Sequence, residues 1–170
     1  MDLRLRPLRL DDEKEFVAAH EAMQTEDFPF GLWYEAGMPW ATYVERLAAW
    51  SVGRDLPDQI VANTLLVAEM GGVIVGRASI RHNISTDFLA REGGHIGYCV
   101  LPEHRRRGYA TEILRQSLVV VRSLGVDRVL ITCDDDNVGS ATVIERGGGV
   151  FESLTGNRDG DVPKRRYWID

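Results

Sequence analysis

The sequence predicts a mixed α+β fold in three layers, a splayed and mostly antiparallel mixed sheet flanked by helices. Three observations lead there. Leu65 to Met70 and Val73 to His82 are apolar runs joined by Gly71-Gly72, a β-hairpin signal. His95 to Leu101 is β-branched, aromatic and apolar, stops at Pro102, and gives way through a basic turn to helical spacing from Ala110. Arg128 to Cys133 is a continuous apolar run of strand length, which suits a strand covered on both faces.

The other elements follow from local pattern. Leu3 and Leu5 alternate with Arg4 and Arg6, a first strand ending at Pro7. Asp11 or Asp12 caps a helix to about Met23, with Phe16, Val17, Ala19 and His20 toward the core; His20 reads as a partly buried structural histidine. Phe28 to Trp40 is rich in aromatics and broken by Pro and Gly. Solubility needs no rings in a loop, so they either pack on the core or wall an acceptor site. Thr42 starts a helix through about Val52, and Gly53 to Asn63 connects it to the hairpin. Asn83 to Gly94 is polar, with room for a short helical turn. Ala110, Ile113, Leu114, Leu118 and Val121 share one helix face, closed near Gly125. Asp134 to Asn137 leads into a helix from Val138 to about Arg146, followed by three glycines. Val150 to Thr155 and Arg165 to Ile169 read as a terminal hairpin around a turn at Gly156 to Asp161.

The length of 170 residues suits a single domain over 1–170. No apolar run reaches the roughly 18 residues of a membrane helix, so no membrane partner is expected. The alternating Leu and Arg of the first ten residues are no signal peptide, and the expected compartment is the cytoplasm. Cys99 and Cys133 are spaced for neither zinc nor a redox pair, so they read as buried free thiols and no metal is expected. The net charge of −6 argues against a nucleic-acid partner and is compatible with an amine-bearing acceptor.

A basic loop entering a helix start is an anion site, because free N–H groups and the helix dipole both favour negative charge. The expected ligand carries phosphate. No Lys-Ser or Lys-Thr follows the glycine, so this is no Walker A loop, and G-x-G-x-x-G is missing as well. Arg105-x-x-Gly108-x-Ala110, after a strand ending in Val-Leu-Pro, resembles the acyl-CoA motif Q/R-x-x-G-x-G/A of the GNAT superfamily of N-acyltransferases. A second block resembles the same superfamily: Asn137-x-x-Ser140-x-x-x-Ile144-Glu145, then glycines and an aromatic strand. The resemblance covers about residues 92 to 151, and the element order fits throughout.

That resemblance implies a GNAT-like fold with acetyl-CoA as co-substrate. Pantetheine would pair with the central strand near Cys99, Val100 and Leu101. The pyrophosphate would sit on the amides from Arg105 to Thr111, through Arg106, Arg107, Gly108, Tyr109 and Ala110, with the three arginines adding charge. Asn137 and Ser140 match cofactor-side positions, and Asn137 equally suits an N-cap. The implied partner is a small-molecule or protein amine, and a homodimer is compatible.

Acyl transfer to an amine needs a proton acceptor, an oxyanion donor and, for the leaving thiolate, an acid. Many members place a tyrosine on the helix of the second block; here that position is Ile144. His95 is the candidate base, because imidazole titrates near neutral pH; Glu92 is second to it. The Val100 backbone N–H is the candidate carbonyl polariser. Cys133 as an acyl carrier is the less economical route. Asp134 to Asp136 either attract an ammonium or complement the helix dipole. The leading function is direct N-acetyl transfer in a ternary complex; the alternatives are a CoA-binding effector module with little turnover and an unrelated nucleotide binder.

Overall fold

The structure is a computed structural model that describes residues 2–155 and 162–170. The elements follow in the expected order: β1 (Leu3–Arg6), α1 (Glu13–Gln24), α2 (Trp40–Trp50), β2 (Asn63–Met70), β3 (Val73–Arg81), β4 (Ile96–Val100), α3 (Tyr109–Ser123), β5 (Val129–Asp134), α4 (Val138–Arg146), β6 (Val150–Leu154) and β7 (Lys164–Ile169). The turn expected at Gly156 to Asp161 lies outside the described residues.

Two antiparallel sheets result. One runs β1-β2-β3-β4 and the other β5-β7-β6. Gly71 and Gly72, at φ 60° and 83°, take the left-handed backbone that a two-residue hairpin loop needs. The terminal strands pair as expected, but β7 inserts between β5 and β6, so that Tyr167 faces Ile131 on one side and Phe151 on the other.

A bulge at Ala68/Glu69 breaks the register near the hairpin turn, and from Gly76 to Arg81 the residues of β3 alternate regularly between the two faces. Ala78 and Ile80 look toward α3, together with Ile96, Tyr98 and Val100 of β4. Arg77, Ser79 and Arg81 therefore lie on the opposite face, the α1 and α2 side, in register with Val67, Leu65 and Asn63 of β2. On the first face Leu114, Leu118 and Val121 of α3 pack with Leu66, Ile80 and Ile96, each burial contributing about 1.5–3 kcal/mol. On the second face Phe16 of α1 meets the rings of Phe30, Trp40 and Tyr43 at 5.4, 5.2 and 5.6 Å. Gln116 fastens α3 to β1: its Oε1 accepts from the Leu5 N–H at 2.8 Å, and its Nε2 donates to the Leu3 carbonyl at 2.7 Å.

The two sheets join just before β4. The His95 N–H donates to the Leu130 carbonyl at 2.8 Å, and the Leu130 N–H donates to His95 Nδ1 at 2.9 Å. Gly94, at φ 61° and ψ −172°, makes the joint possible, since a Cβ there would lie 2.6 Å from the Leu130 oxygen. Beyond this joint β4 and β5 share no ladder among the described residues, and a gap opens between them.

Candidate active site

The basic turn delivers the helix start that the sequence promised. Arg106 and Gly108 have φ 63° and 81°, and α3 begins at the next residue. The Glu112 N–H donates to the Gly108 carbonyl at 3.3 Å, which leaves the N–H groups of Tyr109, Ala110 and Thr111 without a carbonyl one turn earlier. Arg106 and Arg107 are exposed beside them. Arg105 departs from expectation. Its Nε donates to the Val100 carbonyl at 3.1 Å, and its two Nη atoms clasp Glu26 at 2.9 and 2.6 Å. The Arg105 hydrogen bonds hold the Glu26 carboxyl below its usual range. Arg105 is thus a strut between the turn and the end of α1, and among the described residues Arg106 and Arg107 are the arginines of the turn without a carboxylate partner.

The backbone of β4 also needs a correction in detail. The Leu101 N–H donates to the Val75 carbonyl at 2.9 Å, and Cys99 stands opposite Arg77. Antiparallel alternation then turns the N–H and C=O of Cys99 and Leu101 toward β3, and those of Tyr98 and Val100 away from it. An added strand would pair with Tyr98 and Val100, while Cys99 and Leu101 are already committed. The Val100 N–H does face the gap, next to the arginine-rich turn. This edge and the free amides of α3 fit an extended ligand ending in phosphates.

A cavity of about 1400 Å³ adjoins the gap. The aromatic segment divides: Phe30 is fully buried and Tyr34 meets the core rings edge-on, whereas Phe28, Leu32 and Trp33 line the cavity. Trp33 sits at φ 59°, a backbone conformation that a bulky residue avoids without a constraint. His20 Nδ1 accepts from the Gly31 N–H at 2.9 Å, the structural role expected of it. Leu89–Gly93 forms one wide helical turn, closed by the Gly94 N–H on the Leu89 carbonyl at 2.8 Å, and carries Glu92 to the cavity wall.

His95 is not on that wall. It is 5% exposed, and its Nδ1 lone pair is taken by Leu130. Burial, helped by the nearby Arg81 charge, lowers its pKa from the ordinary 6.5. A base must reach the substrate proton, and this imidazole instead holds two sheets together. Burial lowers His20 and His82 in the same direction. In all three the unfolded chain takes up protons first, so the stability they confer is complete above the unfolded pKa near 6.5 and is lost progressively as pH falls below it. Urea titrations from pH 8 to pH 5 are expected to show a falling midpoint below about pH 6.5; a flat midpoint across that range defeats the claim.

Tyr98 is the residue that the sequence left unremarked. Its hydroxyl lies 3.0 Å from Ser140 Oγ across the gap, and both residues line the cavity. Burial pushes the phenol up to about 12, against the Ser140 hydrogen bond, so it remains a proton donor at neutral pH. Asn137 Oδ1 caps α4 by accepting from the Ser140 N–H at 2.9 Å, and Asn137 borders the same cavity. Ile144 is fully buried in the core. Burial raises both thiols, Cys99 and Cys133, which suits neither to a nucleophile's role. Asp134 pairs with Lys164 and Asp135 with Arg165, so neither carboxylate is a free lure for an ammonium.

Residues 2–150 match the family model described as acetyltransferase (GNAT) domain. The chain belongs to the GNAT acetyltransferase family. A search of curated protein sequences found no match. Solved GNAT structures share the fold over nearly the whole chain. RimJ from Mycobacterium smegmatis, in complex with CoA-disulfide, is 23% identical with a TM-score of 0.70, covering 98% of this chain and 81% of its own. The microcin C7 self-immunity acetyltransferase MccE, in complex with acetyl-CoA and AMP, is 15% identical with a TM-score of 0.70, covering 98% and 91%. The yncA protein from Salmonella typhimurium, with its cofactor acetyl-CoA, is 18% identical with a TM-score of 0.64, covering 99% and 94%. Among the described residues no helix is long and apolar enough to cross a membrane.

Proposed function

We propose that this chain is an N-acetyltransferase that moves an acetyl group directly from bound acetyl-CoA to an amine in a ternary complex. The observation that carries the proposal is the unpaired edge of β4, with its Val100 N–H, set between the splayed sheets and leading to the arginine-rich turn at the start of α3. The co-substrate supplies an activated acetyl thioester; the chain supplies placement and proton traffic. The amides of Tyr109, Ala110 and Thr111, with Arg106 and Arg107, hold phosphate charge. The Val100 N–H points at the gap, where it stabilises negative charge developing on a carbonyl oxygen. The Tyr98 hydroxyl, relayed to Ser140, donates a proton to the departing thiolate. Glu92, on the cavity wall, takes the proton from the incoming amine directly or through water.

The deciding experiment is calorimetric titration with acetyl-CoA, CoA and 3′,5′-ADP, followed by thiol release with a panel of amines. Tight acetyl-CoA binding with amine-dependent thiol release supports transfer. Binding without release from any amine favours the effector module, and no binding at millimolar acetyl-CoA sinks both. Tyr98→Phe is expected to lower kcat about tenfold with acetyl-CoA affinity unchanged. That is less than a general acid usually contributes, because a thiolate is a good leaving group even without a proton donor. An unchanged kcat would remove Tyr98 from the proton path.

A further inference from the structure

The cavity side of β3 carries a row of side chains that acetyl-CoA does not account for. Arg77, Ser79 and Arg81 succeed one another on this face, and both arginines line the cavity. Arg77 is 3% exposed, and Arg81 is half-buried. Arg77 donates to the carbonyls of Phe30 and Pro29 at 2.9 and 2.8 Å, and Arg81 donates to that of Gly93 at 3.2 Å. These carbonyls, and the Phe28 ring 5.0 Å from the Arg77 guanidinium carbon, are neutral partners, so neither full charge is matched by an opposite one. Among the described residues neither guanidinium has a carboxylate partner, and the Arg77 charge bears on Arg81. The chain has 26 acidic residues against 20 basic ones, so acids are not in short supply. Asp87, Glu92 and Asp134 line the same cavity, with Arg91 and Lys164, yet none of the three carboxylates is paired with Arg77 or Arg81. Two like charges withdrawn from water without a counter-ion are unfavourable, unless a ligand brings the counter-ion.

A second observation stands beside the first. Asn63, 1% exposed, faces Arg81 in the β2–β3 register and lines the cavity. Its Nδ2 donates to the Val61 carbonyl at 3.2 Å, while its Oδ1 accepts nothing. The buried Ser79 Oγ, between the two arginines, is likewise unpartnered. Gly97, opposite Ser79, keeps the floor open: a Cβ there would lie 3.0 Å from Arg81 Nη1. A pair of anion donors beside an orphan acceptor complements a ligand bearing a carboxylate and an N–H.

We propose that the acetyl acceptor is an amine of the amino-acid class, its carboxylate held by Arg77 and Arg81 and its N–H accepted by Asn63 Oδ1. The proposal rests on the cavity being the acceptor side of the acetyltransferase described above. Calorimetric titration of the full chain with the common free L-amino acids and their primary amides, with and without CoA, tests it. At least one free acid is expected to bind at least about tenfold tighter than its amide. Arg81→Gln weakens that acid about tenfold and leaves the amide unchanged. Gly97→Ala, which keeps every charge and only crowds Arg81, shifts the same preference by a smaller factor and stands in should Arg81→Gln unfold. Equal affinity for acids and amides, no binding of any acid, or equal weakening of both by Arg81→Gln overturns the proposal. The acetyl-CoA titration described above, set beside the acid and amide titrations, separates the two claims. Lost acid preference with intact acetyl-CoA binding sinks the carboxylate subsite alone, and intact acid preference without acetyl-CoA binding sinks acetyl transfer alone.

Discussion

Gly108→Trp is expected to raise the Kd for acetyl-CoA by about 100-fold or more, a loss of about 2.7 kcal/mol. Gly108 sits at φ 81° and ψ 0°, one residue before α3. Two effects act there, and they can be separated. Any side chain must enter the left-handed region, at about 1–2 kcal/mol. An indole additionally covers the N–H groups of the first turn, where the phosphates are proposed to sit. Gly108→Ala carries the backbone strain without the bulk, so it is expected to weaken binding about tenfold at most. Both variants should remain folded, with Tm lower by roughly 2–8 °C for a chain of this size. Calorimetry with acetyl-CoA and 3′,5′-ADP reads the outcome. If Gly108→Trp binds acetyl-CoA within threefold of the parent protein, the phosphate subsite is elsewhere.

Much of this frame was legible in the sequence, because most of its signals are local. Gly71-Gly72 marks a hairpin by itself, and the apolar stripe of α3 needs no partner to be read. The features that escaped are long-range. The insertion of β7 between β5 and β6 is set by cross-strand pairing of residues about 15 and 35 positions apart, and no local periodicity encodes it. The clasp of Arg105 on Glu26 joins residues far apart in the chain, so the same arginine looks in sequence like a phosphate ligand. Arg77, Ser79 and Arg81 lie in a run that the sequence marks only as one arm of a hairpin; only the fold shows that their shared face looks into a cavity. Tyr98 reads as an apolar strand residue, although a hydroxyl in the strand nearest the cofactor motif was the signal that could have singled it out. The error over His95 has the same origin. A histidine opening the central strand is chemically a base, and its neighbour Gly94 decides that it is a fastener instead.

Gly94→Ala is accordingly expected to be strongly destabilising, by about 3–5 kcal/mol. Its φ of 61° and ψ of −172° lie in a region that only glycine enters readily, and the added Cβ would meet the Leu130 oxygen at 2.6 Å. That oxygen accepts from the His95 N–H, so relief of the clash breaks the joint on which the gap between β4 and β5 depends. A drop in Tm of about 6–20 °C follows; a drop under 2 °C would mean that the joint shifts freely and does not set the gap. His95→Ala completes the argument, because it separates the fastener from the base. It leaves the buried Leu130 N–H without its acceptor, at about 1–3 kcal/mol. A lost general base lowers kcat by about 10²–10⁴-fold at every temperature where the protein is folded. A lost fastener lowers Tm and leaves kcat, measured well below that Tm, within a few-fold of the parent. The structure predicts the second pattern, since the imidazole is buried at the seam and absent from the cavity wall.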